Sequence, residues 1–66
     1  MNIDKSIDVD IIKILKESEN PVSSREIALK IGRAWHTVNT HCMQLQIDGK
    51  IERLKISNLN LWRIKK

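Results

Sequence analysis

The sequence predicts a small, mostly α domain in which three helices are followed by an antiparallel β-hairpin. Up to about residue 48, apolar residues recur at spacings of three and four, which is the period of helices that pack on one side. From residue 50, apolar and charged residues alternate, which is typical of half-buried strands. A chain of 66 residues has room for one small core, so we expect a single domain over residues 1–66.

The first helix is predicted over about residues 6–19. Ser6 can cap its amino terminus, and Asp8 lies in the first turn, where the helix dipole favours negative charge. The dipeptide Asn20-Pro21 ends the helix, because the residue before a proline is disfavoured in the α conformation. The side that faces the core should be the apolar stripe of Ile7, Ile11, Ile14 and Leu15.

A helix-turn-helix is predicted next, over about residues 24–31 and 34–48. Ser23 and Glu26 have the spacing of a capping box, which begins the first of these helices. Gly32 follows its last apolar residue and can adopt the positive φ that ends a helix. The second helix has its own core stripe, formed by Val38, Cys42 and Leu45.

One set of residues at characteristic spacings extends through this motif and into the hairpin. Its members are Ile27-Ala28, Ile31-Gly32, Thr37-Val38, His41, Leu45 and Gly49-Lys50-Ile51. With this set the chain, over about residues 10 to 64, resembles the winged helix-turn-helix domains of bacterial and archaeal transcription regulators. The resemblance implies that the second helix of the motif is a recognition helix, that the hairpin is a wing, and that the partner is double-stranded DNA. It also implies a short third strand at Pro21-Val22. Ala34 departs from the family, which usually has Ser or Thr there, so the recognition helix should be frayed at its start or capped by another group.

The recognition helix would present its polar face to the major groove, chiefly from its amino-terminal half. If the core stripe faces inward, a rotation of 100° per residue places four residues on the opposite face of the helix, and a fifth lies at the helix start. Asn39 can pair bidentately with adenine, and Thr40 can donate, accept or contact a thymine methyl group. The base-reading candidates are Trp35, His36, Asn39, Thr40 and Met43. The alternative for each is an ordinary exposed position, and for Trp35 a cover over the core.

The wing is predicted over about residues 50–65, with strands at 50–56 and 61–65. Leu54, Ile56, Trp62 and Ile64 are expected to share the buried face. That arrangement pairs Ile56 with Trp62 and Leu54 with Ile64 across a loop of residues 57–61. The other face would then carry four cations, Arg53, Lys55, Arg63 and Lys65.

The charge of the chain is concentrated in its second half. Residues 1–31 carry five basic and six acidic side chains, whereas residues 32–66 carry seven basic and two acidic ones, within a net charge of +4. A polyanion should therefore be attracted to one end of the molecule. The phosphate-contact candidates are Arg33, Arg53, Lys55, Arg63 and Lys65, with Thr37 and His41 on the helix flank. The alternative is a basic surface that only keeps the sheet solvated.

Other classes of function find little support in the sequence. His36, His41 and Cys42 are poorly spaced for a metal, and no cofactor motif is present, since Gly32 and Gly49 are the only glycines. No catalytic pairing or small-molecule pocket is expected, so we expect no enzyme activity. A single cysteine, the lack of a membrane-spanning run and the lack of a signal sequence favour a cytoplasmic protein.

The expected function is therefore double-stranded DNA binding by a small transcription regulator that acts as a homodimer. Dimerisation would use the first helix, the segment before it, or the strand edge, and Val9 and Ile12 with Ile3 form either peripheral core or a patch that a second subunit covers. The alternative is a winged-helix protein-interaction module in a replication, transcription or viral assembly. Apolar Met43 and Ile47, both directed away from the core stripe, favour that alternative.

Overall fold

The structure is a computed structural model that describes residues 5–65, and it contains three helices and a small antiparallel sheet. In chain order the elements are α1 (Lys5–Glu17), β1 (Val22–Ser23), α2 (Ser24–Ile31), α3 (Trp35–Ile47), β2 (Ile51–Ile56) and β3 (Leu59–Ile64). The expected layout of three helices followed by a hairpin is confirmed at this level. The short strand β1 is present and pairs with β3, so the sheet has the order β1-β3-β2.

The helix ends follow from local hydrogen bonding. Ser23 is extended, with φ −76° and ψ 157°, and its side chain accepts a hydrogen bond from the Glu26 amide at 3.1 Å. Gly32 ends α2 in the left-handed region at φ 71°, where a residue with a Cβ would be strained. Ala34 makes no side-chain cap at the start of α3, as its methyl group requires. Its carbonyl oxygen accepts the first backbone bond of the helix, from the Val38 amide at 3.1 Å.

The core lies between the three helices and one face of the sheet. Trp62 of the central strand is fully buried and is the largest side chain in it. Replacing such a residue by alanine costs about 3–5 kcal/mol, a large part of the stability of a small domain. The other members are Ile7, Ile11, Leu15, Val22, Ile27, Ala28, Val38, Cys42, Leu45 and Ile51, with Ile12, Ile14, Ile31 and Ile64 partly buried against them.

On the suggested flank of α1, Val9 is 63% exposed, so only Ile12 of that flank joins the core. Ile3 lies outside the described residues.

The hairpin register differs from the predicted one. The loop contains two residues, Ser57 and Asn58, both with positive φ of 50° and 66°. Positive φ at both central positions is the type I′ geometry, whose twist matches that of the flanking strands. Trp62 therefore pairs with Arg53, and the five-residue loop that would have paired it with Ile56 is wrong.

The correct register redistributes the side chains between the two faces of the sheet, because partners across an antiparallel pair share a face. Arg53 and Lys55 lie on the face of Trp62, towards the helices, and both are exposed because the hairpin extends past the core. The outer face carries two apolar pairs and one charged pair: Leu54 with Leu61, Ile56 with Leu59, and Glu52 with Arg63. The prediction that Leu54 and Ile56 are buried beside Trp62 and Ile64, with all four cations on the opposite face, is therefore wrong.

Candidate nucleic-acid interface

Helix α3 buries one side and exposes the other. Val38, Cys42 and Leu45 are at most 4% exposed, as the periodicity predicted. His36, Thr40, Met43 and Ile47 lie at helical spacing on the exposed side, and Trp35 at the helix start is 54% exposed rather than a cover over the core. The sequence of α3 contains no Lys or Arg, so any attraction of this helix for a polyanion depends on cations outside it.

Asn39 is half-buried and belongs to a chain of hydrogen bonds that the sequence analysis did not identify. The indole Nε1–H of Trp62 donates to Ser24 Oγ at 2.6 Å. The Ser24 hydroxyl in turn donates to Asn39 Oδ1 at 3.0 Å. Asn39 Nδ2 lies 3.7 Å from the sulfur of Met43, on the exposed side of α3. The candidate base-reading amide is thus fixed at one end by the core and turned outward at the other.

Two more polar residues of the predicted interface have intramolecular partners. Thr40 Oγ1 donates to the carbonyl oxygen of His36 at 2.9 Å, one turn earlier, which occupies its proton and leaves its lone pairs facing solvent. His41 Nδ1 lies 2.8 Å from Asp8 Oδ1 and connects α3 to α1. A carboxylate at this distance repels a phosphate, so the geometry favours a structural link over a phosphate contact for His41. Thr37, one helical turn before His41 in α3, is half-buried.

The cations of the hairpin separate into two groups. Arg53 and Lys55 are exposed on the face that the helices occupy. Arg63 lies on the outer face, and its guanidinium is 3.4 Å from Glu52 Oε1. Lys65 follows the last strand and is exposed, and Arg33 is exposed in the link between α2 and α3. Among the predicted phosphate contacts, the register places Arg63 on the outer face of the sheet, opposite the face of Arg53 and Lys55.

Trp62 connects the helical and hairpin parts of the interface. On one side its indole reaches Ser24, which bonds Asn39. On the other side its cross-strand partner is Arg53, and such partners have Cβ atoms about 5 Å apart. Asn39 and Arg53 therefore flank the same buried residue, from the same side of the sheet. Trp62 thus links the candidate base-reading amide of α3 to the strand that carries Arg53 and Lys55.

The Cys42 thiol and the other potential metal ligands give little support to other chemistry among the described residues. Burial, and secondarily the negative charge of Asp8, raise the pKa of the Cys42 thiol to about 12, so the thiol is protonated and is neither a ready nucleophile nor a metal ligand. Within residues 5–65, no group of three or more His, Cys, Asp or Glu side chains is placed to hold a metal ion. None of the described helices combines the length and apolar character that crossing a membrane requires.

Comparison of the chain with family models, with curated proteins and with solved structures gives no match. The function is therefore inferred from the protein's own residues and their geometry.

Proposed function

We propose that this protein is a winged helix-turn-helix domain that binds double-stranded DNA. In this proposal α3 is the recognition helix and the β2–β3 hairpin is the wing. The protein would act as a small cytoplasmic transcription regulator without catalytic activity. The observation that supports the proposal best is the shared placement of the exposed side of α3 and of Arg53 and Lys55 around Trp62.

The chemistry of the two parts suggests different roles. The exposed part of α3 offers Asn39, Thr40 and His36, which are short polar groups suited to base edges. Arg53 and Lys55 are charges without sequence preference, suited to phosphates, and Arg33 and Lys65 are further exposed cations of the same basic half. Phosphate contacts provide most of the affinity, and base contacts provide the choice of sequence.

A homodimer would fit this reading, because one protomer presents a single α3 of 13 residues. A two-fold dimer would place two recognition helices in successive major grooves, about 34 Å apart, and would require a palindromic site. Sedimentation equilibrium of the free protein and of its complex with a duplex measures this stoichiometry. Two protomers per duplex site support the dimer, and one per site contradicts it.

The decisive experiment is a titration of a fluorescent random-sequence duplex at 50 and 200 mM salt. If the four cations named above each neutralise one phosphate, log K should fall with log salt at a slope of about −3.6 per protomer. Affinity would then drop about 150-fold between the two salt concentrations. A single-stranded oligonucleotide of equal length is the control. Absence of binding to the duplex at 50 mM salt would overturn the proposal.

A second candidate function is supported by the outer face of the hairpin. Leu54, Ile56, Leu59 and Leu61 form an apolar ladder there, and Ile56 and Leu59 are 54% and 57% exposed. On α3, Met43 and Ile47 are also exposed. Exposed apolar residues grouped on one face are typical of protein-binding surfaces, so a protein-interaction module with the same fold is the alternative. It predicts no duplex binding at low salt, which the titration measures directly.

A further inference from the structure

One direction of the hydrogen bonds among Trp62, Ser24 and Asn39 gives each of their buried donors an acceptor. An indole Nε1–H can donate and cannot accept. At 2.6 Å from this group, the Ser24 oxygen must accept, and its own proton is left for another partner. Among the described residues, the second side-chain partner of the hydroxyl is the Asn39 amide, at 3.0 Å. The hydroxyl donates its proton to this amide, so the amide atom that faces it is the oxygen.

Burial makes this direction costly to reverse. Ser24 is 3% exposed and Trp62 is fully buried, so water cannot replace a missing partner easily. Turning the amide of Asn39 would point its Nδ2 donors at the remaining lone pair of the Ser24 oxygen and would leave the buried hydroxyl proton without its Asn39 acceptor. An unsatisfied buried polar group costs about 1–3 kcal/mol. Asn39 therefore holds its oxygen inward and its Nδ2 donors outward, beside Met43.

We infer that Asn39 reads base edges as a hydrogen-bond donor, and that its preferred base is guanine. This inference rests on the proposed DNA binding and deepens it. Guanine presents two acceptors, N7 and O6, in the major groove, whereas adenine presents N7 beside an amino donor. The bidentate pairing with adenine needs the amide oxygen and nitrogen turned to the base together, and here Ser24 holds the oxygen inward. Ser24 and Trp62 act as positioning residues that determine this specificity without contacting the base.

The direction of the amide can be tested in the free protein by NMR. In the wild type, nuclear Overhauser contacts from the Asn39 amide protons should be strong to the Met43 methyl group and weak to the β-protons of Ser24. In Trp62→Phe the indole donor is lost, so the Ser24 oxygen lacks a donor, and the Asn39 Nδ2 group supplies one when the amide turns. A second set of Asn39 amide signals, close to Ser24, is expected in that variant. Strong contacts to Ser24 in the wild type would overturn the inference.

A second variant releases the Asn39 amide by removing the Ser24 hydroxyl as well as the indole. Ser24→Ala alone leaves the buried indole without an acceptor, and combining it with Trp62→Phe removes both partners, which is far less costly than removing one. Circular dichroism melts would establish that the double variant folds. In the folded double variant the Asn39 amide is released, and both orientations should be populated.

The base preference is then measured on duplexes enriched by selection from a random pool. Replacing the contacted guanine by 7-deazaguanine removes the N7 acceptor and should weaken wild-type binding about five- to tenfold. Inosine at the same position keeps N7 and O6 and serves as the matched control, with unchanged binding. Asn39→Ala should bind both guanine forms equally, and the Ser24→Ala, Trp62→Phe double variant should lose most of the discrimination between guanine and adenine.

The results separate the inference from the function on which it rests. A wild-type protein that binds no duplex overturns the proposed function and the base reading with it, while the NMR contacts still decide the direction of the amide. A protein that binds DNA, selects adenine and is sensitive to 7-deazaadenine at the position protected by Asn39 overturns the guanine preference alone.

Discussion

Three single substitutions in the hairpin test whether the position of a cation, or only its charge, determines DNA binding. Arg53→Ala, Lys55→Ala and Arg63→Ala each lower the net charge by one, so their effects on long-range attraction should be similar. They differ in placement, because Arg53 and Lys55 lie on the face of the helices whereas Arg63 lies on the outer face beside Glu52. We expect the first two to remove phosphate contacts and the third to remove none.

The size of the effect follows from counterion release. Each lost phosphate contact should reduce the slope of log K against log salt by about 0.9. A double variant of Arg53 and Lys55 should therefore have a slope of about −1.8 instead of about −3.6, and should lose about 12-fold rather than about 150-fold in affinity between 50 and 200 mM salt. Arg63→Ala also breaks an exposed ion pair, which is worth at most about 1 kcal/mol of folding stability.

The assay is fluorescence anisotropy with one duplex at five salt concentrations, after melts have shown that each variant folds. Equal reductions of slope for Arg63→Ala and Arg53→Ala would refute the reasoning from register. Such a result would mean that the basic half of the chain attracts DNA as a diffuse charge, without defined contacts from the wing.

Three further predictions concern the fold. Ser57→Asn combined with Asn58→Gly relieves left-handed backbone strain, which costs most residues about 1–2 kcal/mol. The double change should therefore raise the free energy of unfolding by about 1 kcal/mol in urea titrations. No gain would argue against the type I′ turn. Ser23→Ala removes the cap of α2 and should cost about 1 kcal/mol, seen as a fall in Tm of about 4–8 °C, and an unchanged Tm would contradict the cap. Cys42 has a pKa raised from 9.0 to about 12, so the folded thiol stays neutral while the unfolded one ionises. Its contribution to stability should be complete below pH 9 and should fall between pH 9 and 12, and Cys42→Ala should lack this fall.

The helical part of the fold was predictable because its signals are local. Each of these signals depends on residues within a few positions of one another. They are the Ser23 cap, the left-handed Gly32 and the apolar stripes of α1, α2 and α3. The predicted end of the first helix, at about residue 19, differs from the observed Glu17 because Ser18 turns its hydroxyl back to the carbonyl oxygen of Ile14 at 2.9 Å. Such competition between a side chain and the backbone is common at helix ends and shifts their limits by a residue or two.

The hairpin register was not predictable from the alternation of apolar and charged residues. That pattern assumes that one face of the whole hairpin is buried, so it assigned Leu54 and Ile56 to the core. In the structure the hairpin extends past the core, and burial acts only near Ile51, Trp62 and Ile64. The turn then decides the register, and Ser57-Asn58 accepts positive φ without the Asn-Gly sequence that would have signalled it. Because the loop has two residues instead of the predicted five, Arg53 and Lys55 lie on the side of the helices.

The chemistry of Asn39 depends on tertiary structure in the same way. Its position on the outer part of α3 follows from the spacing of Val38 and Cys42, so sequence reasoning can name it as a contact. Which atom of the amide turns outward depends on Ser24 and Trp62, which are 15 residues before it and 23 residues after it. Guanine and adenine differ in the major groove by an acceptor in place of a donor. In the inferred base reading, the choice between them at this position depends on an indole in the core, which a local sequence pattern around residue 39 does not reveal.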